Sequence, residues 1–152
     1  MTKQRITIGS VLEININNEY YCYAQILGKA YYVFFDLKTT KKISDFSILE
    51  TVPILFVLSV YNDVITSGKW IKTGKLRIRE ELKVLPLQFI QDSLHPDKFE
   101  LYNPNTGEIS PTTEDTIQGL ECAAVWDAEH VESRIADYYN GSSNYWVEQL
   151  NK

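Results

Sequence analysis

The segment from Gly119 to Ile135, GLECAAVWDAEHVESRI, contains a carboxylate, a thiol, an indole and an imidazole within a short stretch. A thiol beside a general base is the arrangement of a cysteine nucleophile. The apolar pattern, however, predicts one strand through IQGLECAAVW, on which Glu121 and Cys122 point to opposite faces. The two side chains therefore cannot cooperate, and a hydrolase that uses Cys122 or His130 is a third and less favoured interpretation.

The other candidate ligands and nucleophiles are scattered. Cys22 and Cys122 lie in apolar runs, and the two histidines are His95 and His130. The sequence has no C-x-x-C pair, no Cys/His spacing typical of zinc and no calcium-type D-x-D-x-D-G loop. We therefore expect no catalytic residue, no metal and no cofactor.

A basic and aromatic segment runs from Lys69 to Arg79, KWIKTGKLRIR. It differs from a phosphate-binding loop, because five residues separate Gly68 from Gly74 and Leu76 stands where that loop has a hydroxyl residue. The segment gives an alternative function, a nucleic-acid- or peptide-binding module that uses Trp70. The competing structural explanation is an indole buried under a loop.

The charge is distributed unevenly along the chain, whose net charge is −5. Residues 1–90 have 12 Lys and Arg against 8 Asp and Glu, whereas residues 91–152 have 3 against 12. A negative total argues against general nucleic-acid binding, which depends on Lys and Arg. An acidic face raises the rate of encounter with a basic partner, although a merely solvated surface would have the same composition.

The acidic C-terminal part is therefore the candidate partner-binding surface. No motif organises its carboxylates as metal ligands. The leading candidates for contact with a partner are Glu108, Glu114, Asp115, Asp127, Glu129 and Glu132.

Alternating patterns in the first part of the chain predict strands. SVLEINI, EYYCYAQIL and AYYVFFD are expected to form an antiparallel meander with turns at Asn17–Asn18 and Gly28–Lys29. PILFVLSV, which begins at Pro53, is apolar on both faces and predicts a central strand. The many tyrosines favour either a partner surface or a face covered by C-terminal helices.

The middle of the chain is less regular. An edge strand or structured loop, anchored by a buried indole, is expected around Trp70. KFELYN and EISPTT predict an exposed hairpin that turns at Pro104–Gly107. In the strand that follows, from Ile117 to Trp126, Gly119 is expected to mark a bulge or the close approach of another backbone.

A helix is predicted to begin after Asp127, with its carboxylate as the cap, and to end at Gly141. NYWVEQL predicts a short final helix. These elements predict an α+β, mainly β fold, with a strongly bent or barrel-like antiparallel sheet and a C-terminal helix packed on it. We expect a single domain over residues 1–152, strand-rich from 5 to 126 and helical from 127 to 150.

The N-terminal sequence, MTKQRITIGSVLEI, lacks the apolar core of a signal peptide. No run in the chain approaches the roughly 18 apolar residues of a membrane span. A cytoplasmic location is therefore expected.

Several short motifs follow one another in a specific order between Gly9 and Tyr138: VLEI, EYYCYAQILG, YYVFFD, ILFVLSV, SGKWIKTGKL, LPLQFIQD, GLECAAVW and HVESRI. This order resembles the immunity protein 26 family of bacterial polymorphic toxin systems. The most specific parts are a tryptophan with a glycine four residues later, P-x-x-F-x-Q-D, and G-L-E before the last helix. The matching positions, expected to be structural, are Trp70, Gly74, Gly119, Leu120, Glu121 and Trp126.

The resemblance implies a small, mainly β, cytoplasmic protein that binds and blocks a cognate toxin domain without catalysis or a cofactor. The expected partner is a basic toxin protein, for which a nuclease is one candidate, rather than a nucleic acid or a membrane. An acidic binder can compete for the phosphate-binding surface of a nuclease, which agrees with the charge distribution. The toxin's identity and the oligomeric state are left open.

Overall fold

The computed structural model of the protein describes residues 4–150. Within this range the chain forms ten strands, three α-helices and two 3₁₀ turns. The strands are β1 (Ser10–Ile16), β2 (Tyr20–Gly28), β3 (Tyr31–Thr39), β4 (Ile54–Val60), β5 (Ile71–Lys75), β6 (Gln88–Gln91), β7 (Phe99–Tyr102), β8 (Ile109–Thr112), β9 (Glu121–Cys122) and β10 (Val125–Trp126). The α-helices are α1 (Asp63–Thr66), α2 (Ala128–Asn140) and α3 (Tyr145–Leu150), and the 3₁₀ turns span Phe46–Glu50 and Glu80–Leu82.

The larger sheet has six strands in the order β10-β4-β3-β2-β1-β5. Strands β1 to β3 form the predicted antiparallel meander. β4 lies between β3 and β10, so the prediction that it is not an edge strand is also confirmed. The first turn of the meander places Asn17 and Asn18 at φ 54° and 60°, and its second turn uses positive φ at Gly28, Lys29 and Ala30. Asparagine and glycine tolerate this left-handed backbone, so the turn residues were informative about the strand boundaries.

The larger sheet bends without closing. Register shifts interrupt the pairing of β1 with β5, of β2 with β3 and of β3 with β4, and such bulges increase the local twist of a sheet. The end strands β10 and β5 do not pair with each other within residues 4–150. The α+β, mainly β class with a strongly bent sheet and a C-terminal helix is confirmed, and the sheet is an open one.

The smaller sheet has four strands in the order β8-β7-β6-β9. The predicted hairpin is present as β7 and β8. The single strand predicted from Ile117 to Trp126 is wrong, because only β9 and β10 are strands, and they belong to different sheets. β9 pairs in parallel with β6 and β10 pairs in parallel with β4, so the chain crosses between the sheets at Ala123–Ala124. Apolar patterning does not distinguish one strand from two short ones with different partners.

Gly119 lies in the turn before β9 rather than inside a strand. Its φ is +81°, and within residues 4–150 no atom beyond its two chain neighbours lies within 4 Å of the position that a Cβ would occupy. The expected bulge or close backbone approach is therefore not found. Glycine suits this position because the backbone there is left-handed.

Apolar side chains cover both faces of the larger sheet. The cluster on the face that carries α2 includes Leu12, Ile14, Tyr32, Phe34, Leu58, Trp70, Trp126, Val131 and Ile135. The cluster on the other face includes Val11, Tyr23, Val33, Phe35, Leu49, Leu82 and Leu85. The side chain of Trp70 is 1% exposed and meets the rings of Tyr32 and Phe34 edge-on, so the expected buried indole is confirmed.

The helix α2 packs on the sheet through Val131 and Ile135, which are fully buried, and it ends at Gly141 with φ +70°, as predicted. Asp127 precedes α2 in extended conformation, but its carboxylate makes no capping hydrogen bond. Asp127 occupies the predicted N-cap position, but the predicted carboxylate hydrogen bond is not formed, because the Asp127 carboxylate lies beside His130, with Oδ2 3.7 Å from Nδ1. No helix within residues 4–150 has the length and apolar character needed to cross a membrane.

Candidate functional site

The six carboxylates predicted to contact a partner lie on two parts of the fold. Glu108 precedes β8, while Glu114 and Asp115 follow it. All three are exposed. The other three lie at the start of α2: Asp127, Glu129 and Glu132.

The carboxylates at the start of α2 already have partners inside the chain. Glu129 forms a salt bridge of 2.6 Å with the Lys69 ammonium, which lowers the pKa of Glu129 and raises the pKa of Lys69. Glu132 Oε2 accepts a 2.9 Å hydrogen bond from the indole nitrogen of Trp70. Glu132 thus satisfies the polar atom of a buried ring and joins α2 to the segment before β5.

The negative charge is concentrated in the smaller sheet and its connections. We call residues 86–122, which contain β6, β7, β8 and β9, the acidic module. It has seven Asp and Glu against one Lys, whereas the rest of the chain has 13 Asp and Glu against 14 Lys and Arg. The acidic module therefore accounts for the whole negative charge of the protein.

Most of these carboxylates have no internal partner. Asp92 accepts hydrogen bonds from the amides of Leu94 and His95, and Glu121 pairs with Arg134. The other five are exposed and make no ion pair or side-chain hydrogen bond with any residue of the described range 4–150: Asp97, Glu100, Glu108, Glu114 and Asp115. Asp97 and Glu100 were missed in the sequence, although the charge count of residues 91–152 included them.

The turn between β7 and β8 is held firmly against the rest of the protein. The Asn105 side chain accepts a hydrogen bond from the Leu85 amide through Oδ1 and donates one to the Leu85 carbonyl through Nδ2. The Lys29 ammonium contacts the carbonyl oxygens of Pro104 and Asn105 at 3.4 and 3.0 Å. These bonds fix the hairpin that presents Glu108.

The other end of β8 leads into the connection of residues 113–120, which carries Glu114 and Asp115. Hydrogen bonds within the connection shape it, from the Gln118 side chain to the Glu114 carbonyl and between the hydroxyls of Thr113 and Thr116. Ile117 is 7% exposed and anchors the connection.

An ion pair between Glu121 and Arg134 joins the acidic module to α2. The guanidinium donates two hydrogen bonds of 2.8 Å to the two carboxylate oxygens. It also lies over the rings of Phe56 and Trp126, at 4.1 and 5.3 Å from their centroids. Arginine is suited to this position because its planar group bonds a carboxylate through two nitrogens while it stacks on an aromatic face.

The basic segment from Lys69 to Arg79 is largely occupied by internal contacts. Lys72 donates to the Arg5 carbonyl and the Thr7 hydroxyl, and Arg79 donates to the carbonyls of Leu49 and Val52. Because the indole of Trp70 is buried, its use as a contact for nucleic acid or peptide is contradicted.

The thiols and imidazoles do not assemble a catalytic pair. Cys22 is 1% exposed, and burial raises the pKa of its thiol to about 12. Cys122 is half-buried, and burial followed by the Glu121 charge raises the pKa of its thiol, which disfavours the reactive thiolate there as it does at Cys22. His130 stacks on Trp146 at 3.6 Å between ring centroids. The part of the chain from 4 to 150 contains no group of three or more metal-ligand side chains.

A model of the family described as immunity protein 26 matches residues 7–100. The chain belongs to the immunity protein 26 family. Membership indicates a toxin-neutralising role. The comparisons found no match among curated proteins or solved structures.

Two of the predicted motif positions, Trp70 and Gly74, lie inside the range matched by the immunity protein 26 family. A Cβ on Gly74 would overlap the ring of Phe46. Four positions lie beyond the matched range: Gly119, Leu120, Glu121 and Trp126. The structural role of the motif stays a prediction, for which the burial of Trp70 and Trp126 and the Glu121 ion pair give a physical basis.

Proposed function

We propose that this member of the immunity protein 26 family binds and blocks a cognate toxin, without catalysis of its own, through the acidic module. The observation that carries the proposal is a set of five exposed carboxylates without a partner among residues 4–150, in a module with a single lysine. Unpaired charges of one sign repel one another, and a positively charged partner removes this repulsion on binding.

The proposed partner is therefore a basic toxin domain. Glu108 and the Glu114–Asp115 pair lie beyond the two ends of the four-residue strand β8, about 20 Å apart at the usual rise per residue. The Debye length is about 30 Å at 10 mM salt and about 8 Å at physiological salt, so the charges act together on an approaching partner at low ionic strength and separately at high ionic strength. A nuclease would offer such a basic surface, because it must bind phosphate.

The carboxylates of α2 contribute less in this proposal. Glu129 would have to give up Lys69, and Glu132 would have to give up the indole nitrogen of Trp70, before either could bond a partner. The Asp127 side chain is 56% exposed, and among residues 4–150 its carboxylate forms an ion pair with the His130 imidazole alone, so it is the carboxylate at the start of α2 most available to a toxin.

The protein is further proposed to act as one domain in the bacterial cytoplasm, where a toxin would otherwise reach its target in the producing cell. Binding alone is enough for this role. The raised pKa of both thiols supports the proposed absence of cysteine catalysis.

The test is capture of the partner from the source cells. The tagged protein is used as bait at about 50 mM and about 500 mM salt, and the eluted polypeptides are identified. The proposal expects a polypeptide with a basic domain that high salt releases, that is toxic when expressed alone, and that is harmless when co-expressed with this chain. Capture of nucleic acid instead, or failure of co-expression to protect, would refute the proposal.

A further inference from the structure

The acidic module contains an open groove of about 570 Å³. Its apolar lining comes from Phe89, Phe99, Ile117 and Leu120, and its rim includes Asp97 and Glu114. The volume falls in the range of roughly 300–1,000 Å³ that is usual for specific ligand pockets. The groove is therefore large enough to hold several side chains of a partner.

The floor of the groove is one face of the smaller sheet. The pairing of Gln91 with Phe99 and of Phe89 with Leu101 directs Phe89 and Phe99 to the same face. Their rings meet edge-on with centroids 6.4 Å apart. Because strands and ring packing fix these side chains, little ordering would be needed when a ligand binds.

Two loops form the walls. Residues 92–98 supply Asp97, and a hydrogen bond of 2.7 Å from the Gln91 side chain to the Pro96 carbonyl ties this loop to the sheet. Residues 113–120 supply Glu114, and buried Ile117 anchors that loop. Asp97 and Glu114 are exposed and have no ion-pair partner among residues 4–150, so two different loops direct unneutralised charge to a groove with a partly apolar lining.

Addition of a strand at the edge is a less suitable way to bind this sheet. The outer strand β8 contains Pro111, which has no amide hydrogen to offer. The amide of Asn103 donates to the Glu108 carbonyl, so these two residues form a hydrogen-bonded pair of the hairpin. Hydrogen-bonded and non-hydrogen-bonded pairs alternate along antiparallel strands, and the pair of Glu100 with Pro111 is a non-hydrogen-bonded one. The nitrogen of Pro111 therefore faces the open edge. A partner is therefore better accommodated across the face than along β8.

We infer that the groove binds a segment of the toxin in which a lysine or arginine stands next to apolar side chains. The apolar side chains would cover Phe99 and Leu120, and the cation would lie between Asp97 and Glu114. An acidic or uncharged segment would leave both carboxylates unpaired beside a covered apolar surface, which is unfavourable. The inference rests on the proposed function and adds a chemical class for the segment that the toxin inserts.

The first test is a titration of the whole ¹⁵N-labelled protein with four capped peptides, GSLRVSG, GSLQVSG, GSLEVSG and GSSRSSG, followed by NMR chemical shifts. The expected result is that GSLRVSG shifts the amides of Ile117, Gln118 and Gly119, with dissociation constants at least about fivefold higher for the other three. Shifts confined to other surfaces, no shifts at all, or equal affinities for the arginine, glutamine and glutamate peptides would overturn the inference.

The second test applies variants of the groove to GSLRVSG and to the captured toxin. Gln118 is exposed and lines the groove, so Q118W fills it without touching the core, while Q118A is the control that loses the same hydrogen bond to the Glu114 carbonyl without filling the groove. Q118W and D97N/E114Q should each weaken binding about tenfold or more, whereas E19Q/E50Q, which makes the same change of charge outside the acidic module, should change it less than about twofold. The amide spectrum of each variant confirms that it is folded.

The outcomes separate the inference from the proposed function. If the toxin binds wild type and Q118W equally, the groove is not the contact and the inference is overturned, while the proposed function stands. If the chain captures no toxin and protects no cell, the proposed function fails, whereas the peptide titration still decides which chemistry the groove accepts.

Discussion

The ion pair between Glu121 and Arg134 is predicted to stabilise the contact between the acidic module and α2. Arg134 is 14% exposed and Glu121 is 31% exposed, and two hydrogen bonds of 2.8 Å join them. Removal of the Arg134 side chain also removes the guanidinium that lies 4.1 Å from the centroid of the Phe56 ring. R134A therefore loses an ion pair and an aromatic contact together.

The expected magnitude follows from these contacts. Charge-assisted hydrogen bonds to a partly buried carboxylate contribute about 1.5–3 kcal/mol, and a cation over an aromatic ring adds about 0.5–1 kcal/mol. R134A should therefore lower the free energy of unfolding by about 3 kcal/mol. With an unfolding entropy of about 2.1 cal/mol/K per residue over 152 residues, this loss corresponds to a Tm lower by roughly 9 °C.

Urea denaturation of wild type, R134A, E121A and the double variant measures the coupling free energy of the pair, which should be about 1–2 kcal/mol. The matched control is the pair of Lys69 and Glu129, whose atoms are closer, at 2.6 Å, but whose side chains are 37% and 72% exposed. Solvent screening should keep the control coupling below about 0.5 kcal/mol. A coupling below about 0.3 kcal/mol for Glu121 and Arg134 would refute the stabilising role of this pair.

Three further predictions concern the larger sheet. W70F should remain folded but lose about 1–3 kcal/mol by urea denaturation, because the indole hydrogen bond to Glu132 disappears, and a loss equal to that of W70A would contradict this. G74A should cost about 1–3 kcal/mol because Phe46 must move, and F46L should recover part of that loss, whereas additive losses would show that the two sites do not touch. Burial raises the pKa of the Cys22 thiol to about 12, so as the pH rises the thiol ionises first in the unfolded state. The contribution of the protonated thiol to the free energy of unfolding is therefore fully present below about pH 8.5 and is lost as the pH rises toward 12. C22A should flatten the fall of the unfolding free energy between about pH 9 and pH 11, and an unchanged slope would disprove this linkage.

Local sequence signals predicted the elements that depend on local chemistry. Asn17 and Asn18 identified the first turn because few residues accept positive φ, and Gly141 identified the end of α2 for the same reason. The division of the segment from Ile117 to Trp126 between two sheets was not predictable, because it depends on parallel pairing with β6 and β4, which are distant in sequence. The Asp127 carboxylate does not cap α2, because it lies beside the His130 imidazole instead. An N-cap sequence pattern takes no account of a side chain that competes for the carboxylate.

The candidate surface was predictable in its sign of charge and less so in its residues. Counting charges located the acidic part of the chain, but it gave Glu129 and Glu114 the same weight. Three-dimensional contacts distinguish them, because Lys69, just before β5, forms an ion pair with Glu129, while Glu114 has no ion-pair partner among residues 4–150. The groove was not predictable, since it requires the register of β6 with β7 and the position of residues 113–120.

The central claim, that the acidic module attracts the toxin, is tested most directly by the rate of association with the captured toxin. Two triple variants each remove three exposed carboxylates, one from the acidic module and one from elsewhere: E108Q/E114Q/D115N and E19Q/E50Q/E148Q. Both change the net charge equally, so a difference between them reports position rather than total charge. At about 20 mM salt the module variant should associate about fivefold to tenfold more slowly than wild type and the other variant less than about twofold, with the gap closing near 500 mM. Equal rates for the two variants at low salt would contradict the account.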